Sequence, residues 1–309
     1  MKRVVFVLRL LVGYRSAKTR FLSLEHLQKW LIVPSSLLVI ATLVLSCGTV
    51  QVYNEPDRPV FHSGETTLQA AEQADSLSVV TFNIRKAVKT QLAASELQQF
   101  QKTRNADVFL LQEMDEKGVE EIAKTLGLNY LYIPIVHQIS AKKDVGNAIL
   151  TKGTITCPEK LLLPHAKPLS KSRRLVTIAE VTVHGEKILV YSVQTETVVM
   201  SRKKRMDQVD AIIEHARMQL PSFKYVLIGG DFNTLFSKSS RLAVEKFRNG
   251  GFDWSTATVG TTASAFFGLL KPRHDYIFSK GLKLIDASKM ESSKSSDHFP
   301  VLATFSMKP

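Results

Sequence analysis

YVLIGGDFNT, residues 225–234, joins an apolar run to a polar end. Tyr225, Val226, Leu227 and Ile228 form the short aromatic and β-branched run of a strand buried on both faces of a sheet. Gly229 and Gly230 let the backbone turn or be approached closely, and Asp231 and Asn233, at i and i+2 of an extended segment, project to one side. Two polar groups thus leave the end of a buried strand together. On this stretch alone, an Asx-turn in which both side chains cap local backbone groups explains the pair equally well.

On either side of this stretch the chain alternates between strands and helices. Strands are expected at Leu77–Ile84, Val108–Gln112, Tyr130–Ile135, Asn147–Thr151, Thr154–Leu162, Val176–Val183, Ile188–Val193, Tyr276–Phe278 and Val301–Phe305. Helices are expected at Gln91–Thr103, Glu116–Leu126, Arg202–Leu220 and Arg241–Arg248. Within 202–220, Met206, Val209, Ile213, Ala216 and Leu220 recur at the helical period, which makes them a core stripe rather than a binding surface. Several consecutive strands lack intervening helices, so parallel crossovers cannot account for the order; an α/β arrangement of paired mixed sheets covered by helices can. At 309 residues, 44% hydrophobic and 22% charged, the composition is that of a folded chain. Residues 76–309 read as one catalytic-size domain, and 48–75, polar and proline-bearing without a period, read as a tether.

The net charge of +13 divides unevenly. Residues 1–50 carry seven Lys or Arg against Glu25 alone, leaving an excess of +7 on the remainder. That suits phosphate-bearing partners, nucleic acid or anionic lipid, without choosing between them. The basic start precedes the uncharged run LIVPSSLLVIATLVLSCG, an export or anchoring signal over 1–47. Its apolar centre stops at Val44-Leu45-Ser46-Cys47-Gly48, which resembles a bacterial lipobox with Cys47 as the lipidated residue; an uncleaved transmembrane helix is the alternative. Either places the domain outside the cytoplasm at a membrane. With Cys157 the only other cysteine, lipidation of Cys47 leaves no internal disulfide, and Cys157 is read as an inert thiol.

Polar groups stand at the ends of other expected strands: Asn83 in VVTFNI, Glu113 in VFLLQE, Asp275 in RHDYIF, and Asp297-His298 in SSDHFPV. Singly, each is an ordinary strand end or turn. Together they supply what metal-assisted phosphoryl chemistry needs: hard oxygen ligands, a carboxylate to position water, and a histidine to meet the phosphoryl oxygen.

Asn83, Glu113, GNAIL at 146–150, GDFN at 230–233, HDYIF at 274–278 and SDHFPV at 296–301 together resemble the endonuclease/exonuclease/phosphatase superfamily, from about Leu77 to Phe305. The resemblance implies a four-layer α/β sandwich hydrolysing phosphate esters, as a phosphodiesterase, nuclease or phosphatase. It implies Glu113 as principal ligand of Mg²⁺, or of Mn²⁺ in its place, with Asn83 and Asp297 near the metal. Asp231 would orient or deprotonate water, Asn233 would bind a phosphate oxygen, and His298, held by Asp275, would stabilise the phosphoryl group. Arg174 and Arg205 would contact substrate phosphate, while Arg202, Lys203 and Lys204 read as a solvated first turn. One departure stands out: Gln194, in ILVYSVQTET, occupies the place where many members have histidine. Its amide can donate to a phosphate oxygen but cannot transfer a proton near neutral pH, so a weakly active or purely binding module is the second reading. Phe266-Phe267-Gly268-Leu269-Leu270 is the candidate exposed segment for lipid or base contact, with a buried loop plug as an equal alternative. His26, His62, His137, His165, His184 and His215 lack a carboxylate-rich setting in sequence and receive no role.

Overall fold

The computed structural model describes residues 50–57, 62–64, 74–264 and 268–307. The signal or anchor segment 1–47, Cys47 and Phe266-Phe267 lie outside them. The strands are β1 (Val50–Val52), β2 (His62–Gly64), β3 (Ser76–Asn83), β4 (Val108–Met114), β5 (Asn129–Gln138), β6 (Lys143–Thr151), β7 (Thr154–Leu162), β8 (Leu175–Val183), β9 (Glu186–Gln194), β10 (Tyr225–Asp231), β11 (Asp253–Trp254), β12 (Asp275–Lys280), β13 (Lys283–Lys289) and β14 (Val301–Ser306). The helices are α1 (Thr90–Arg104), α2 (Glu116–Leu126), α3 (Arg202–Gln219) and α4 (Ser237–Asn249). An eight-stranded sheet runs β1-β5-β6-β4-β3-β14-β13, with β2 also on β5; a six-stranded sheet runs β11-β12-β10-β9-β8-β7. Each is mixed: β3 and β4 are parallel, as are β9 and β10, and the other pairs are antiparallel.

Strand periodicity builds the layers. On β10, Tyr225 and Leu227 enter a core shared with Val79, Leu110, Ile149, Val181 and Ile277, which lies between the two sheets. Val226 and Ile228 point the other way, against Met206, Val209, Ile212 and Ala216 of α3 and Val244 and Phe247 of α4. On the first sheet Val80, Phe82, Phe109 and Leu111 likewise face Leu97 and Phe100 of α1 and Val119 and Ile122 of α2. Three apolar seams therefore separate four layers, the expected α/β sandwich, and strands buried on both faces read as continuous apolar runs for this reason.

Local signals set several boundaries. Asp115 caps α2, its side chain accepting from Gly118 N at 2.8 Å, and Gly127 ends the helix in the left-handed conformation. Two differences from the sequence expectation concern edges. β13 is an exposed edge strand, KLIDASK, whose apolar residues do not alternate with a core, so it carries no period-2 signal. The interval read as a tether supplies β1 and β2 to the edge of β5, and buried Lys160 fastens the chain beyond β1, donating to the carbonyls of Tyr53 (2.7 Å) and Glu55 (2.8 Å). Backbone pairing, Lys160 and the side-chain bonds of Tyr53 to Asp144 and of Asn54 to Lys171 O and Arg173 N hold a segment that has no hydrophobic pattern of its own. Among the described residues no helix is long and apolar enough to cross a membrane.

Candidate active site

The face of each central strand that lines the inter-sheet core turns polar at one end. Leu77 and Val79 are followed on that face by Thr81 and Asn83; Val108 and Leu110 by Gln112; Ile188 and Val190 by Ser192 and Gln194; Tyr225 and Leu227 by Gly229 and Asp231; and Ile277 is preceded by Asp275. β12 runs antiparallel to β10, with Asp275 opposite Asp231, so its beginning meets the other strands' ends. The site is thus the polar continuation of the inter-sheet seam. Gln112 Nε2 bridges the sheets to Ser192 Oγ at 3.1 Å.

At Asp231 the two sequence readings merge. Its Oδ1 accepts from Asn233 N (2.8 Å), an Asx-turn, and its Oδ2 accepts from Asn233 Nδ2 (3.1 Å) and from Asn83 Nδ2 (3.0 Å). Asn233 sits at φ 48°, left-handed, so its amide folds back on Asp231 and donates to Thr195 O (2.9 Å) rather than projecting in parallel from an extended strand. The glycines before it are required by packing. A Cβ on Gly229 would lie 2.6 Å from Leu110 Cδ1 in the facing sheet, and one on Gly230, at φ 153°, would lie 1.9 Å from Val193 O in the neighbouring strand.

Asp275 is fully buried and takes His298 Nδ1 on both oxygens, at 3.0 and 2.9 Å. Thr262, which carries no sequence signal, donates from Oγ1 to Asp275 Oδ2 at 2.7 Å and accepts from His274 N and Asp275 N. Burial by itself would depress His298, but the carboxylates of Asp275, then Asp231, and more weakly Asp297 outweigh it and hold its pKa at about 10. Burial pushes the Asp275 carboxyl up. The pair therefore keeps a proton across neutral pH on His298, with Nδ1 committed to Asp275 and Nε2 left for the reacting group. Asp231, Asp275 and His298 bring three ligand-type atoms within 4.8 Å of one another.

Glu113 lies on the parity of Phe109 and Leu111, which would aim it at the helix layer. A register shift between Leu111 and Met114 in the β4–β6 ladder and a left-handed φ of 57° at Glu113 turn it instead into the site. There its Oε1 accepts from Gln194 Nε2 at 2.8 Å, while Gln194 Oε1 accepts from Arg174 at 2.6 Å. Gln194 thus holds a carboxylate and Arg174 holds Gln194, contacts within the protein that the reading of both as phosphate ligands did not include. Behind Arg174 lies buried Glu196, paired also with Lys167 (3.5 Å). Burial would raise its carboxyl, but Arg174 and Lys167 bring it below the ordinary range. Arg205, also expected to face phosphate, is buried and donates to Asn233 O at 3.0 Å, so it braces the turn. Asp297 is half-exposed, 3.7 Å from Arg85, and its neighbour Ser296 donates to Asn83 O at 2.7 Å, tying the loop before β14 to the end of β3.

The carboxylate oxygens of Glu113 and Asp297 and the amide oxygen of Asn83, which accepts from Arg85 N at 2.9 Å, are of the hard-oxygen kind that a divalent cation takes. The Asp231–Asp275–His298 cluster fits proton handling better, because its imidazole nitrogen is already bound to a carboxylate. His274 also faces this cluster, its ring centroid 5.5 Å from that of His298. It is visible in sequence beside Asp275, but strand alternation would send it away from the site.

Solved structures with this fold include an endonuclease/exonuclease/phosphatase family protein from Leptotrichia buccalis (18% identity, TM-score 0.60, covering 75% of this chain and 100% of that one). Another is the endonuclease/exonuclease/phosphatase from Bacteroides vulgatus (15%, TM-score 0.61, 76% and 100%), and a third is TDP2 from Caenorhabditis elegans (20%, TM-score 0.58, 75% and 74%). No curated protein matches the chain. The family model for this fold matches residues 80–298, from β3 through His298, and the chain belongs to the Endonuclease/Exonuclease/phosphatase family.

Proposed function

We propose that the protein is a divalent-metal-dependent hydrolase of phosphate esters, held at a membrane outside the cytoplasm by its N-terminal segment. The supporting observation is the meeting of Asp231 with the Asp275–His298 pair at the polar end of the inter-sheet seam. Asp231, fixed by three amide donors, orients the attacking water. His298, protonated and aimed by Asp275, neutralises the phosphoryl oxygens as charge develops on them. Glu113, Asn83 and Asp297 would hold the cation, with Mg²⁺ the best match to an all-oxygen donor set and Mn²⁺ able to replace it; the cation supplies further charge neutralisation at the phosphoryl group. Gln194 and Arg174 keep Glu113 in place.

The family includes metal-dependent nucleases and phosphodiesterases, and a structure of TDP2 from D. rerio contains a single-strand DNA product. For this chain, nucleic acid and phospholipid headgroups are the two substrate branches. The N-terminal basic and apolar run supports the membrane placement, with lipidated Cys47 as its anchor. The test is hydrolysis of plasmid DNA, RNA, phospholipid vesicles and a generic phosphodiester with Mg²⁺, using a soluble form that begins at Gly48 and so retains β1 and β2. Turnover that requires the metal and disappears in His298→Ala is the expected result. Turnover by His298→Ala equal to that of the unaltered protein overturns the assignment.

A further inference from the structure

His274 is a buried group beside His298 to which the proposed reaction gives no role. Its residue is 8% exposed, and its Nδ1 is buried with no hydrogen-bond partner. The main chain around it is fixed, because His274 N donates to Thr262 Oγ1 (2.9 Å) and His274 O accepts from Phe232 N (2.8 Å). The ring lies beside His298, tilted 30° to it, and the charges that act on it are those of Asp231, Asp275, Asp297 and His298. An orphaned polar atom is costly in a protein interior and is kept where something else completes it. Here the groups that surround the orphan are the site's own.

We propose that His274 is a second imidazole of the phosphoryl pocket, whose Nδ1–H donates to a non-bridging oxygen of the bound phosphate beside His298. The inference rests on the phosphoester reading. Burial pushes the His274 imidazole down against the opposing pull of the Asp231, Asp275 and Asp297 carboxylates, and the neighbouring imidazolium adds to the fall, which favours the neutral ring. A neutral ring adds a directed hydrogen bond without placing a second positive charge against His298. His298 supplies charge and His274 supplies direction.

The experiment is titration of the full chain with inorganic phosphate in the presence of Mg²⁺, read by calorimetry and by ¹⁵N shifts of the histidine rings. Phosphate should move the His274 Nδ1 resonance. His274→Phe, which keeps a ring but removes the atom, should weaken phosphate roughly 10- to 100-fold, the worth of one hydrogen bond to a charged group. Its melting temperature should be unchanged or higher, since an unpartnered buried polar atom has been replaced by an apolar one. His274→Asn, which places an amide near the position of Nδ1, should recover part of the affinity. Unchanged phosphate affinity in His274→Phe overturns the proposal. So does a protein that hydrolyses a phosphodiester in a His298-dependent way while phosphate leaves the His274 ring signals unmoved, and in that outcome the phosphoester reading survives alone.

Discussion

Replacing Gln194 by leucine, which is close to it in volume, tests whether the chain Arg174–Gln194–Glu113 is a working support. Gln194 is fully buried, and the change removes its bond to Glu113 (2.8 Å) and the one from Arg174 (2.6 Å). Hydrogen bonds to charged groups contribute about 1.5–3 kcal/mol each when neither partner finds a substitute. Glu113 is only half-buried, so water replaces much of its bond. Arg174 is nearly enclosed and keeps only its ion pair with Glu196 at 3.4 Å, so its loss counts almost in full. Roughly 3 kcal/mol from the two bonds, offset by about 1 kcal/mol for the added apolar burial of leucine, leaves an expected loss of about 2 kcal/mol. Urea unfolding should show this as a lower midpoint with an unchanged slope. Glu113, held at a left-handed φ, should then lose its orientation, and calorimetric Mg²⁺ affinity should fall about tenfold. A stability loss below about 0.5 kcal/mol, the level of an ordinary surface change, together with unaltered Mg²⁺ binding would show that Gln194 does not support Glu113.

Asp275→Asn removes the charge that holds His298 protonated while keeping its shape, so phosphodiester turnover should fall at least about 100-fold with the chain still folded; near-normal kcat in the variant would contradict the pairing. Because His298 is raised from an ordinary 6.5 to about 10 on folding, its stabilising contribution is complete below pH 6.5 and is lost as pH rises through about 10. Melting temperature of the metal-free protein should therefore drop between pH 6.5 and 10 more steeply than that of His298→Gln, and parallel curves would exclude the charge. Gly230→Ala sets a Cβ 1.9 Å from a backbone oxygen, whereas Gly229→Ala meets the movable end of Leu110 at 2.6 Å. The first should cost about 3 kcal/mol and the second about 1 kcal/mol, and equal midpoints in denaturant would rule out the packing account.

Much of this molecule is legible in one dimension. Strands buried on both faces announce themselves as apolar runs, α3 as a stripe at the helical period, and α2 through Asp115 and Gly127, because these signals are local to the element that carries them. The candidate residues Asn83, Glu113, Asp231, Asn233, Asp275 and His298 are likewise visible as polar groups at strand ends. The edge strands β1, β2 and β13 are not, since backbone pairing to a neighbour makes them and leaves no pattern in their side chains.

The layers, and the polar groups that stand at strand ends, can be read from one dimension, since alternation along a strand fixes which residues share a face. What those groups do to one another depends on contacts made across the fold. Alternation would turn Glu113 toward the helices, and the bulge in the β4–β6 ladder brings it to Gln194. Gln194, Arg174 and Arg205 look like phosphate contacts in a list of residues, yet each is occupied by a partner at least 20 positions away. Thr262 and His274 enter the site only because β12 starts where β10 ends. Hydrogen bonds of buried polar groups are satisfied across the fold, and those distances in sequence carry no local trace.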